Sequence, residues 1–373
     1  MDVSSAGRGC ASILRMHVAL LADESWVDQE LPVFRHLIVG LIDETVRVVQ
    51  VVPPQLTEDE VVSFAMRVDW AERGNGWLRP LRHRRLGDCL APLEVDLVHS
   101  LGPRTWTAAV RVGRRLGVPI VLGLAHHREL KWLRWLQRHC DPSRFALSAA
   151  TGPLATAARQ RLPEDAVIEH ITPGVHPRRQ LPASQETDTT LCVVVSSTGR
   201  FDAPYEQLLD ALSLVVREHG EVQLFFDGPQ AQQHHLWRGM QQRDLLEHAT
   251  LMPHRLGRRL LLRGVDLVIQ PHALGGARSL LLRAMAAGLP VLTLNDPWVD
   301  YLLDEQTAWL LDEPSVDGWK ALLRRVIRRP DEARELGSRA REWISERARA
   351  SQYVGRTLSV YRRMTGESIQ FPA

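Results

Sequence analysis

Val265-Asp-Leu-Val-Ile-Gln-Pro-His-Ala-Leu-Gly-Gly-Ala-Arg-Ser-Leu-Leu-Leu-Arg-Ala-Met-Ala-Ala-Gly-Leu-Pro-Val291 decides the fold. The apolar run Val265–Ile269 predicts a buried strand, and a loop carrying Gly275 and Gly276 follows it. A helix then runs to a glycine stop at Gly288, and Pro290 opens the next strand. A loop that opens a helix leaves backbone N–H groups pointing outward, which suits a phosphate. Strand, loop, helix and strand in this order predict a right-handed β-α-β unit on a parallel sheet.

The same alternation extends in both directions. Upstream, Met16–Ala22, Val46–Val52, Asp96–Ser100, Pro119–Ala125 and Phe145–Ser148 read as strands, with helices over Leu31–Asp43 and Arg104–Leu116. The stretch from Pro54 to Pro92 is the least regular and reads as an insertion or a long loop with helices. Polar, proline-bearing Thr172–Thr190 marks a linker. Beyond it come strands Leu191–Val195, Val222–Phe226, Val265–Ile269, Pro290–Leu294 and Ala308–Leu311, with helices over Tyr205–Glu218 and Ala231–Leu246. The last quarter, Val316 to Arg363, is helical and charged. The expected fold class is α/β, with two Rossmann-like, doubly wound parallel sheets facing a cleft. The expected boundaries are a first domain over 1–176, a linker over 177–190, a second domain over 191–350 and a returning helix over 351–373.

Composition narrows the function. The chain has 373 residues, of which 45% are hydrophobic and 24% charged, so two globular domains fit it. Its 46 basic residues are offset by 44 acidic ones, which gives nucleic acid no single-sign surface. Cys10, Cys89, Cys140 and Cys192 form no CxxC pair, so zinc is not expected and free buried thiols are. No carboxylate spacing near the loops indicates another metal. Neither a signal peptide nor an apolar run of spanning length is evident, and the expected location is the cytoplasm. Glu129–His139 invites comparison with a membrane-surface helix, with Lys131, Arg134 and Arg138 on one side and Trp132, Leu133 and Leu136 on another. A core-packed helix with a wet basic face is the plainer reading.

Several short stretches resemble retaining glycosyltransferases of family 4, which have the two-domain GT-B fold. The Ala284-Met-Ala-Ala-Gly-Leu-Pro-Val291 run, Asp96–Ser100, Phe145–Ala149, Ile171–Val175, Gly199–Gln207 and Asp227-Gly-Pro229 carry the resemblance. It implies a nucleotide-diphospho-sugar donor, a glycan or lipid acceptor and no metal cofactor. In the family an arginine and a lysine hold the diphosphate, and two glutamates eight positions apart hold the hydroxyls. Transferred to this chain, the arginine is Arg200, the lysine falls on Glu206 and the following glycine on Gln207. The two glutamates fall on Gly275 and Arg283, the loop glycine on Arg278, and the first-domain histidine on Ala125, beside His126.

These replacements matter physically. Glu206 would repel a pyrophosphate, Gly275 offers no acceptor, and a guanidinium at Arg283 only donates. The exchange of signs leaves two readings: a Glu206–Arg283 pair across the cleft, or two solvent-facing charges. Arg200, Gly275, Gly276, Arg278, Ser279 and Arg283 are the candidate donor and phosphate residues, and His126 is the candidate catalytic residue. Gly275 and Gly276 make either a phosphate nest or a tight turn. The expected function is a family 4-like protein of glycan or glycolipid metabolism with a degenerate donor site and reduced or lost transfer. The alternatives are an active transferase with a rebuilt arginine-rich site, or an interaction module on the same scaffold.

Overall fold

The computed structural model describes residues 16–72, 79–177, 190–196, 201–227, 233–252, 262 and 264–366. Arg200, the Gly228-Pro229 turn and most of the expected linker lie outside the described residues. The first sheet is built from β1 (His17–Leu21), β2 (Arg47–Val52), β3 (Met66–Asp69), β4 (Leu97–Ser100), β5 (Ile120–Leu124), β6 (Phe145–Ala149) and β7 (Val167–His170). Its helices are α1 (Glu24–Asp43), α2 (Arg79–Leu90), α3 (Trp106–Leu116), α4 (Leu133–His139) and α5 (Gly152–Arg159).

The second sheet holds β8 (Leu191–Ser196), β9 (Val222–Asp227), β10 (Ala249–Met252), β11 (Leu267–Gln270), β12 (Val291–Leu294) and β13 (Trp309–Leu311). Around it lie α6 (Ala203–His219), α7 (Gln233–Gln241), α8 (Ser279–Ala286), α9 (Val316–Arg328) and α10 (Pro330–Arg347), and α11 (Ala350–Thr365) closes the chain.

Strand order is β3-β2-β1-β4-β5-β6-β7 in the first sheet and β10-β9-β8-β11-β12-β13 in the second. Every pairing in both is parallel. The period-two alternation of a strand divides each core in two. Ala19, Leu21, Val98, Leu122 and Leu147 join the layer with α3, whereas Val18, Leu20, Leu97, Val121 and Ala146 join the layer with α1 and α11. In the second domain Val193, Val195, Leu267 and Ile269 face α6 and α9, and Val194 and Val268 face α8 and α10.

Strand order reverses between β1 and β4 in one sheet and between β8 and β11 in the other. Such switch points open crevices at the carboxyl ends of the strands. The helix α11 returns to the first domain, where Tyr353, Val354, Leu358 and Tyr361 are buried with α1. Tyr361 Oη pairs with His99 Nδ1 at 2.5 Å.

The structure corrects several sequence expectations. The irregular stretch before Pro92 contains β3 and α2, and β7 and β10 are additional strands. Helix α1 starts at Glu24, well before Leu31, and carries Pro32 inside it. Cys89 is exposed, while Cys140 and Cys192 are half-buried, so fully buried thiols are not found among the described cysteines. The Glu129–His139 segment is not one helix: a 3-10 turn over His127–Trp132 leads into the short α4. Leu133 and Leu136 enter the core, and Trp132 stays 40% exposed. Among the described residues no helix is long and apolar enough to cross a membrane.

Candidate functional site

The quoted loop between β11 and α8 reaches across the cleft and docks on the first domain. His127 N–H donates to Gly275 O at 2.8 Å, and His127 Nδ1–H lies 3.1 Å from the same oxygen. Ala277 N–H donates back to Ala125 O at 3.1 Å, and His126 bridges Gly276 in antiparallel fashion. This approach needs both glycines. Gly275 has φ +75°, and a Cβ there would lie 1.9 Å from the His127 ring. A Cβ on Gly276 would lie 2.2 Å from Ala125 O and 2.8 Å from His126 Cα, backbone atoms that cannot turn aside. The His127 ring also stacks on Trp298 of the second domain, with centroids 5.5 Å apart.

The N–H groups of this loop are engaged inside the protein. Gly275 N–H donates to Asp296 Oδ2 at 2.6 Å, and Arg278 N–H donates to Tyr301 Oη at 2.9 Å. Ser279 N–H, at the start of α8, donates to Glu30 Oε2 at 3.2 Å. Ser279 Oγ donates to Gln29 O at 3.3 Å, and the Arg278 guanidinium donates to the Gln29 side chain.

Pro32 accounts for this arrangement locally. It has no N–H for the carbonyl of Asp28, and Glu30 takes the non-helical angles φ −121°, ψ 17°. The resulting kink turns Gln29 O and the Glu30 carboxylate toward α8. The partial positive charge of a helix start favours a carboxylate there by about 0.3–2 kcal/mol. A second contact mirrors the first: Asp300 Oδ2 of the second domain accepts from Gly152 N–H at 2.7 Å, at the start of α5.

A cavity of about 530 Å³ opens at the carboxyl ends of β1, β4 and β5, roofed by Gly276–Arg278. Trp26, Arg104, Lys131 and Trp132 line it, and Asp23 and Glu129 are its buried acids. Glu129 Oε2 accepts from Ala125 N–H at 2.7 Å and from His126 N–H at 3.2 Å. Burial outweighs these bonds and raises the Glu129 carboxyl to about 7. Asp23 is also raised, chiefly by burial and against its bond from Trp26 N–H. His126 Nδ1 accepts from Arg128 N–H at 2.9 Å, and burial, with His127, Arg128 and Arg278 nearby, lowers it to about 4. A neutral His126 fastened in this way joins the two domains.

Other sequence-derived positions lie elsewhere. Glu206 is exposed on the first turn of α6 and forms no ion pair with Arg283. Arg283 is half-buried where α8 packs on α1, and together with burial and His176 it lowers His36 to about 4. Gln207 Oε1 is buried without a hydrogen-bond partner among the described residues. Among the described residues no three His, Cys, Asp or Glu side chains are grouped to hold a metal ion.

Sequence reasoning missed Gln29, Glu30, Asp296 and Tyr301. Asp296 could have been found from its place just beyond β12, where such sheets put their polar groups. Glu129 stands three residues after His126, the spacing of a capping box, which is what the two form.

Known proteins agree with this architecture. The family model for glycosyl transferases group 1 matches residues 179–343, most of the second domain. No curated protein sequence matches the chain. Among solved structures, Anabaena HepE in complex with UDP and glucose aligns with TM-score 0.74 at 13% identity, covering 93% of this chain and 99% of that one. A glycosyltransferase from Rickettsia africae aligns with TM-score 0.76 at 10% identity, covering 95% and 100%. Sucrose-phosphate synthase from Thermosynechococcus elongatus gives 0.72 at 15% identity, covering 95% and 100%. The fold is therefore GT-B: two Rossmann-like domains with parallel sheets.

Two outcomes follow from this geometry. Gly276→Ala should destabilise the protein by roughly 1–3 kcal/mol and enlarge its radius of gyration, because neither contacted backbone can yield. Urea unfolding with X-ray scattering checks this, and unchanged values would contradict the docked loop. Glu129→Gln tests the buried acid. A carboxyl raised to about 7 in the fold favours folding most at acid pH and loses that contribution as pH climbs toward and past 7. Relative to wild type, the amide should be near neutral at pH 4.5 and stabilising by up to roughly 3 kcal/mol at pH 8. The comparison must be a difference between variant and wild type, because His36, His99 and His126, all lowered, destabilise in acid and oppose this trend.

Proposed function

We propose that this protein is a relative of the group 1 glycosyltransferases, acting in glycan or glycolipid metabolism. In this reading the first-domain cavity takes the acceptor, and transfer from a nucleotide-diphospho-sugar is reduced or lost. One observation carries the reading: Ser279 N–H, which a donor phosphate would need, already holds the Glu30 carboxylate. A diphosphate entering there meets a like charge and must displace it.

The remaining features support the same conclusion. Gly275 and Arg283 stand where hydroxyl-binding glutamates would be, and neither can accept a hydrogen bond from a sugar through its side chain. Arg278 and Arg283 are the cations a rebuilt donor site would draw on, together with Arg200. Arg278 is turned to Gln29, and Arg283 lies close to His36. Anabaena HepE, similar in fold, is known in complexes with UDP and with UDP-glucose. A uridine nucleotide is therefore the first to try here, before GDP and ADP.

Calorimetric titration of UDP, GDP and ADP into wild type and Glu30→Ala tests this reading. Wild type should bind weakly, and Glu30→Ala should bind one of the three about tenfold more tightly, as removal of a like charge worth ~1.4 kcal/mol predicts. Micromolar binding by wild type, unaltered by Glu30→Ala and accompanied by sugar transfer, would overturn it.

A further inference from the structure

The first-domain cavity has a composition of its own. Arg104 follows β4, and Arg128 and Lys131 follow β5, so two separate turns bring cations to one opening. All three are exposed, and none of their side chains has a hydrogen-bonding or ion-pairing partner among the described residues. Lys131 Nζ instead lies 6.0 Å from the centre of the Trp132 ring. Three cations left in this state around one cavity repel one another, and an anion between them would relieve that cost.

The acids of the cavity have their oxygens on backbone N–H groups, and Asp23 lies close enough to one of these cations, Arg104, to feel its charge. Glu30 is turned to the start of α8, and Asp23 and Glu129 are buried at 7% and 8% exposure, with backbone N–H groups on their oxygens. Burial raises both carboxyls, that of Glu129 to about 7 and that of Asp23 against the opposing charge of Arg104. Trp26 and Trp132 also line the opening, and indole rings are apolar surface suited to the C–H face of a sugar. Indole rings, buried carboxyl oxygens and exposed cations on one cavity suit a saccharide bearing a negative group.

We infer that the cavity of the first domain binds an anionic saccharide acceptor, its carboxylate or phosphate held by Arg104, Arg128 and Lys131. This rests on the proposed function for the word acceptor, whereas the binding itself stands on the cavity. The three cations belong to the first domain and line the same opening as its two tryptophans.

Two matched pairs of probes test the inference by calorimetry and by quenching of tryptophan fluorescence. One is a glucuronate-containing tetrasaccharide and its carboxyl-reduced neutral form, and the other is maltotetraose 6-phosphate and maltotetraose. In at least one pair the charged member should bind about tenfold more tightly, since one charge-assisted contact is worth at least ~1.4 kcal/mol, and added salt should erase the difference. The pair that responds distinguishes carboxylate from phosphate. The Arg104→Gln/Lys131→Gln double variant should bring charged and neutral probes within about twofold while neutral binding is unchanged.

No charge preference in either pair, or a preference that survives the double variant, would overturn the inference. So would a double variant that loses nucleotide and keeps the saccharide, which would give the cations to the donor. Failure of the proposed function is separate: no nucleotide would bind wild type or Glu30→Ala, while the saccharide preference remained.

Discussion

The carboxylate of Glu30 on the first N–H of α8 is the contact around which the two domains are arranged. A helix start carries partial positive charge and N–H groups that its own helix cannot satisfy. In water such a contact is worth little, but between two domains, with Ser279 buried, each partner loses hydration that the other must replace. The structure uses this physics twice in opposite senses, because Asp300 of the second domain meets Gly152 at the start of α5. Between these contacts the Gly275-Gly276 turn lies directly on Ala125–His127, close enough that a single methyl group would clash with it. At Gly276 two backbones touch, and at Gly275 the His127 side chain fills the space a Cβ would need.

Much of the architecture could be read from the sequence because both sheets are covered on both faces. A strand such as Val193-Val-Val195 or Leu97-Val98 must then be apolar at every position, which gives a run that stands out. The strands that escaped notice are those without that requirement. Met66–Asp69 is exposed or half-buried throughout, and Ala249–Met252 and Val167–His170 are largely half-buried at sheet edges. Helix α1 begins well before the expected Leu31 because the chain stays helical through a kink at Glu30, ahead of Pro32.

The candidate site was legible on one side only. Gly275, Gly276 and Ser279 were marked by their loop, but their partners Gln29 and Glu30 lie about 250 residues away and follow no local pattern. A carboxylate two positions before a proline looks like any surface residue until the fold brings α8 to it. The same holds for the Glu206–Arg283 exchange, which suggested a pair. Arg283 lies where α8 packs on α1, and Glu206 remains exposed. Opposite charges at related motif positions say what was replaced, and only the packing says where the replacements go.

One crystal structure, of the protein soaked with UDP at saturating concentration, tests the central claim most directly. The account predicts the Glu30 carboxylate on Ser279 N–H and the Gly275-Gly276 turn still seated on Ala125–His127. A diphosphate bound to the N–H groups of Arg278 and Ser279, with Glu30 swung away, would contradict it and show a donor site held in reserve.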